Sequence, residues 1–276
     1  MSRYLVKDKV AIVTGSSQGI GKAIAIALCA KGAKVVLNSR SLEPLQKTEA
    51  ELKSMGFEVL AVQGDVSIYE DCERLVNETV SAFGQIDILI NNAAISSEGS
   101  IQDTSPEVFE KMFRVNLMGV INPTKAALSY IKKTKGSIVF TGSISGFMGL
   151  PNYSAYSSSK MALTSLVQAL KLELVGTGVH VGLNYVGFTE NEEHKTFITA
   201  EGNLEAVPVR KQFAKMSREK VANHFVKGIE KRKYKQTLTL LGKILKLVQQ
   251  YFPAIFERVL ILVYKRQQKN NIMPEK

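Results

Sequence analysis

The sequence predicts an α/β domain: a doubly wound parallel sheet of about seven strands with helices on both faces. Three observations predict it. Short β-branched runs alternate with segments of 3.6-residue period from residue 5 to residue 241. The strand candidates are continuously apolar, as in "VAIV" and "ILI", which is the pattern of strands buried on both sides. No internal repeat, low-complexity block or long linker breaks the alternation. With 276 residues, 45% of them hydrophobic and 22% charged, the chain has the composition of a folded domain and excludes a disordered one.

The strands are expected at 9–15 ("KVAIVTG"), 34–40, 58–65, 86–93, 136–143, 179–187 and 234–241. Helical periodicity fills 19–31, 42–55, 69–83, 106–131, 154–175 and 217–231. The stretch 188–212 is polar, contains glycine and proline, and reads as a long loop. Loops of that length inside a domain usually act as lids or binding loops. Residues 1–241 therefore form one domain and 242–276 a tail.

Charge is unevenly placed. Residues 1–209 hold 19 Lys and Arg against 21 Asp and Glu, whereas residues 210–276 hold 17 against 4. The whole excess of +11 thus belongs to the C-terminal region, which points to an anionic surface. The opening "MSRYLVKDKVAIVTG" enters a strand pattern with no secretory signal, and Cys29 and Cys72 lack metal or CxxC spacing. The expected compartment is reducing and cytoplasmic, with the membrane surface left open.

The first strand runs into "TGSSQGIG", Thr14 to Gly21, which opens a helix. Gly15, Gly19 and Gly21 allow a sharp turn, and the helix start offers free N–H groups to a pyrophosphate. The loop lacks the Gly-Lys-Ser/Thr ending of a P-loop. Farther on come "DVS" (65–67), "NNAA" (91–94), Asn116 in "VNLMG", Ser143 in "TGSISG" and "YSSSK" (156–160). Tyr156 and Lys160 are four residues apart on a helix, so both reach one site. A free phenol with a pKa near ~10 is a poor acid at neutral pH, and a nearby cation favours its ionisation. Lys160 is accordingly expected to make Tyr156 a usable acid–base group.

In this ordered set, with Tyr156 13 positions after Ser143, the chain resembles the short-chain dehydrogenase/reductase family over about residues 7–230. The resemblance implies a Rossmann-type sheet and a catalytic tetrad of Asn116, Ser143, Tyr156 and Lys160. In it Tyr156 gives a proton to a carbonyl oxygen, Ser143 polarises that oxygen, Lys160 bonds the nicotinamide ribose, and Asn116 holds a water. It also implies cofactor contacts from Gly15, Ser17, Gln18, Gly19, Ile20, Gly21, Asp65, Val66, Asn92 and Ala93, and from Val186, Gly187 and Thr189 near the nicotinamide. Two departures stand out: Ala94 where the family usually has glycine, and Val186-Gly187 where it commonly has Pro-Gly.

At the end of the second strand the chain reads "LNSRS", with Asn38 and Ser39 where an acid would select NAD. Arg40 lies just beyond, suited to a 2′-phosphate, so NADP(H) is the expected cofactor. His180, His194 and His224 have no metal-ligand spacing and are expected to fill packing or surface roles.

In the tail, Leu241, Ile244, Leu245, Val248 and Phe252 repeat at helical spacing, Pro253 interrupts, and Ile255, Phe256, Val259, Leu260 and Val263 resume. Two short amphipathic helices are expected. Lys243, Lys246, Glu257 and Arg258 break the run too often for a membrane span. The helices are suited to lie on an anionic membrane surface, or to pack on the domain or a second subunit. Nucleic acid is not expected, because few aromatics interleave with the basic residues. The extension also resembles those of membrane-associated family members that act on lipids, such as ketosphinganine-type and steroid-type reductases. The reading is an NADPH-dependent carbonyl reductase of a lipophilic ketone, in a homodimer or homotetramer. Its rivals are an NADP+-dependent alcohol dehydrogenase of a small soluble substrate and a non-enzymatic cofactor-binding scaffold.

Overall fold

A computed structural model describes residues 4–190, 196–207 and 215–272. The chain runs β1 (Val10–Thr14), α1 (Gly19–Cys29), β2 (Lys34–Ser39), α2 (Leu42–Ser54), β3 (Val59–Gln63), α3 (Tyr69–Phe83) and β4 (Ile88–Asn91). It continues through α4 (Pro106–Phe113), a π turn (Arg114–Met118), α5 (Gly119–Thr134), β5 (Ser137–Ser143), α6 (Ser154–Glu173) and β6 (His180–Val186). The remainder is β7 (Thr196–Ile198), β8 (Leu204–Ala206), α7 (Arg218–Glu230), β9 (Lys235–Thr237), α8 (Leu240–Tyr251) and α9 (Pro253–Ile272).

Seven strands form one sheet in the order β3-β2-β1-β4-β5-β6-β9, and all neighbours are parallel. Period-2 alternation sorts their side chains between two cores. Ala11, Val13, Val35, Leu37, Ile88 and Ile90 face one side with Ile24 and Leu28 of α1 and Phe225 of α7. Ile12, Val36, Leu89, Ile138 and Phe140 face the other with Leu75 of α3, Ile131 of α5 and Val167 of α6. Burial on both faces explains the continuous apolar runs. Strand order reverses between β1 and β4, and ligands of such sheets bind outside the carboxyl ends at that point.

Three sequence expectations need correction or refinement. The helix expected at 106–131 is divided by the π turn, which places Asn116 on its widened coil; such turns often occur at functional sites. Within the loop expected at 188–212, residues 196–207 form an antiparallel hairpin, with Thr196 opposite Ala206. Three-residue strands are too short to display a period-2 pattern. Residues 191–195 and 208–214, including His194, lie outside the described residues. The seventh strand keeps only Lys235–Thr237 of the expected 234–241, because Thr239 caps α8 by accepting a hydrogen bond from the Gly242 N–H at 3.2 Å.

The two tail helices form on either side of the break at Pro253. Phe256 is buried with Ile144 and Met148, and Leu245, Val248 and Leu260 pack on the same cluster beside Phe147, Leu150 and Phe188. No helix of the described residues is long and apolar enough to cross a membrane. Cys29 and Cys72 are buried free thiols, each pushed up to about 12 by burial. His180 is buried between the Ser137 hydroxyl (3.2 Å) and the Lys233 carbonyl (3.0 Å), and burial pulls its pKa down to about 4. That is a packing role, as expected.

Candidate active site

The loops after β1 and β4 are tied to each other. Thr14 Oγ1 accepts from the backbone N–H groups of Asn92 (3.0 Å) and Ala93 (3.1 Å) and donates to the Ile90 carbonyl. Asn92 Nδ2 in turn donates to the carbonyls of Thr14 and Gly15, both at 3.1 Å. The glycine loop fits against this frame closely. Gly15 has φ +63°, and a Cβ on Gly21 would stand 2.1 Å from the Gly15 oxygen. Behind the loop, Ser16 donates to the Val13 carbonyl, Asn38 donates to the carbonyls of Val62 and Gly64, and the Ser17 carbonyl takes the Thr48 hydroxyl.

Helix α1 begins with no side-chain cap and no acidic residue in its first turn. Its first N–H groups and positive dipole end are therefore available to an anion. This end opens on a cleft of about 500 Å³. A dinucleotide fits there: Gln18, Gly19, Ile20 and Gly21 can hold its phosphates, and Arg40, exposed on the lining, can reach its ribose end. The Arg40 guanidinium makes no ion pair among the described residues.

The same cleft receives Ser143 from the end of β5 and Tyr156 and Lys160 from α6. Ser143 and Tyr156 line the same stretch of the cleft, and the Ser143 oxygen accepts from the Ser145 N–H at 3.1 Å. Lys160 is 4% exposed, with its Nζ 3.3 Å from the Thr141 carbonyl and 5.9 Å from the centre of the Tyr156 ring. The Thr141 hydroxyl donates to Asn92 Oδ1 at 3.3 Å, so Lys160 and the glycine loop share one scaffold.

Asn116 is fully buried on the π turn. Its Oδ1 accepts from the Ile95 N–H (2.9 Å), and its Nδ2 donates to the Ile95 carbonyl and to Ser159 Oγ, both at 3.0 Å. Within these contacts Asn116 fastens the segment after β4 to α6. It does not itself line the cleft.

Electrostatics correct the expected effect of Lys160. Burial raises the Tyr156 pKa, and the group that lowers it is Ser143, through its hydrogen bond. Lys160 is itself pulled down to about 8 by burial. Desolvation is the largest influence on both groups. Tyr156 is thus held as a neutral phenol, the form that can donate a proton.

Of the other anticipated contacts, Asn92, Val186, Gly187 and Thr189 line the cleft, whereas Gly15, Ser17, Asp65, Val66 and Ala93 do not. Asp65 Oδ1 accepts from the Ser67 N–H, and the Val66 carbonyl accepts from Asn122. The sequence reading missed Glu98 and Tyr153, which face the cleft with the Tyr153 hydroxyl donating to Glu98 Oε2 at 2.5 Å. Tyr153 stands one helical turn before Tyr156, a signal that could have placed it; Glu98 is 55 residues away and carries none. Ile95, Ile144, Leu150, Phe188 and Phe197 add an apolar wall.

A phosphate cradle opening beside a serine, a neutral tyrosine and a buried lysine defines an oxidoreductase that uses a nicotinamide dinucleotide. When bound, that cofactor would supply or accept hydride. Residues 9–201 match the family model for short chain dehydrogenase. The chain belongs to that family.

Among its relatives, an uncharacterized oxidoreductase of Thermotoga maritima is 38% identical over 200 residues, covering 72% of this chain and 79% of the relative. Versicolorin reductase stcU of Emericella nidulans is 36% identical over 171 residues, covering 62% and 65%. The match to that reductase therefore spans just under two thirds of its length. A short chain dehydrogenase/reductase of Burkholderia phymatum, solved with NAD, has a TM-score of 0.76 at 25% identity over 99% of each chain. An alcohol dehydrogenase of Thermococcus sibiricus, solved with 5-hydroxy-NADP, has a TM-score of 0.72 at 28% identity, covering 83% of this chain and 95% of that one.

Proposed function

We propose that this protein is an NADPH-dependent carbonyl reductase acting on a bulky lipophilic ketone. The reading rests on one observation: Ser143, Tyr156 and Lys160 stand between a phosphate cradle and an apolar wall in a single cleft. A neutral phenol suits reduction, in which the alkoxide formed by hydride addition takes a proton. Oxidation of an alcohol would need the phenolate. Preference for NADPH is supported by the exposed Arg40 and by the absence of an acid at Asn38 or Ser39. The relatives solved with NAD and with an NADP derivative leave that preference to the residues at the end of β2. The apolar wall of Ile95, Ile144, Leu150, Phe188 and Phe197 supports a large hydrophobic substrate.

The test is kcat/KM with NADPH and NADH on carbonyl compounds graded from short water-soluble ketones to long-chain and polycyclic ones. The lipophilic ketones and NADPH are expected to be favoured. Arg40→Asp is expected to lower the NADPH-over-NADH ratio by about 10- to 100-fold, the worth of a charge-assisted hydrogen bond. Equal kcat/KM across the panel would refute the substrate class, and an unchanged ratio in the variant would refute the role of Arg40.

A further inference from the structure

Helices α8 and α9 are amphipathic in an inverted sense. A surface helix ordinarily turns its polar side to water. In α8, Leu245 and Val248 face the Ile144–Met148 cluster, while Leu240, Ile244, Leu247 and Tyr251 form an exposed stripe at helical spacing. In α9, Phe256 and Leu260 face the same cluster, while Ile255, Val259 and Leu262 form a second exposed stripe. Of the 21 large hydrophobic side chains exposed among the described residues, 11 lie between Leu240 and Val263. Because both helices rest on one cluster, both stripes face away from the domain. An apolar surface this concentrated marks a binding face.

Charge decides between occupants. From Leu240 to Arg266 the helices expose Lys243, Arg258, Lys265 and Arg266 against a single acid, Glu257, whereas Lys246 turns inward with its Nζ 4.7 Å from the centre of the Tyr185 ring. A two-fold contact with a second copy would set this basic patch against itself. An anionic bilayer offers an apolar interior for the stripes and negative headgroups for the cations. We propose that the outward face of α8 and α9 docks the protein in the plane of an anionic lipid surface. The docked helices pack on Ile144, Leu150 and Phe188, which also line the catalytic cleft. Docking therefore brings the rim of the cleft to the lipid.

The surface is independent of the catalytic reading, since vesicle binding reports the helices and not turnover. The experiment is flotation of the full chain with phosphatidylcholine vesicles and with phosphatidylcholine/phosphatidylglycerol vesicles. It compares wild type with a Leu247→Ser/Val259→Ser variant and a Lys243→Glu/Lys265→Glu variant. Both pairs are exposed, and circular dichroism melts check that folding is retained. Wild type is expected to partition at least about tenfold more strongly to the anionic vesicles, with the preference reduced by salt. The serine pair is expected to lose at least about tenfold in partitioning, and the glutamate pair to lose the anionic preference. Equal binding to the two vesicle types, or undiminished binding by the serine pair, would overturn the proposal. So would a change in solution mass of the serine variant without lipid, which would make the face a contact between copies.

Discussion

Lys160 shows how the site trades stability for chemistry. A shift from 10.5 to about 8 means that burying its charge costs on the order of 3 kcal/mol at neutral pH. The folded state binds fewer protons than the unfolded chain between those values, so this cost is fully present below about 8 and is relieved as pH rises toward 10.5. Lys160→Met removes the buried charge and one hydrogen bond to Thr141, and is expected to raise Tm by about 3–6 °C while abolishing turnover. Differential scanning calorimetry reads this directly, and a lower Tm would show that the lysine is a net structural support. The same values set a pH profile. With the phenol kept neutral above its ordinary range, reduction is expected to hold level through neutrality and to fall as Lys160 loses its proton near about 8. A rate that stayed flat up to the ordinary phenol value of 10.0 would remove the lysine charge from the mechanism.

At the scale of elements, the strand and helix alternation was legible because the central strands β1, β4 and β6 are buried on both faces and the long helices of the domain carry an apolar stripe. The glycine loop was legible from its place between the first strand and helix, and Tyr156 with Lys160 from their spacing on one helix face, whereas Ser143 was legible only through the resemblance to the family. Features built by contact across the chain were not. The Glu98–Tyr153 bond, the π turn at Asn116 and the 196–206 hairpin have no local periodicity to announce them. The burial that raises Tyr156 was invisible too, because a four-residue spacing says nothing about water. The glycine loop makes a sharp prediction of its own. In Gly21→Ala the new Cβ would meet the Gly15 oxygen at 2.1 Å and Asn92 Nδ2 at 2.6 Å, so the loop must open. Overpacking of this kind costs about 1–3 kcal/mol. Dinucleotide affinity measured by fluorescence titration is expected to fall about tenfold or more; an unchanged Kd would mean that the cradle is not where the phosphates sit.

Over the whole molecule, the tail and the catalytic domain meet at one apolar cluster immediately after Ser143. Leu245, Val248, Phe256 and Leu260 cover Ile144 and Met148, so the tail shapes the segment that carries the serine. A chain ending at Thr239 is expected to lose activity on soluble and lipophilic ketones alike and to melt at lower temperature. Full activity of that chain on soluble ketones would assign the tail to the surface alone. On the proposed reading, the parallel sheet, the cradle at its reversal point and the Ser143–Tyr156–Lys160 group together protonate a carbonyl oxygen as hydride arrives. The most direct test is Tyr156→Phe, assayed by oxidation of NADPH with a lipophilic ketone and by NADPH affinity. A general acid contributes about 10²–10⁴-fold, so kcat/KM should fall by that factor while the Kd for NADPH stays within about twofold. A variant that turns over as fast as the wild type would contradict the account.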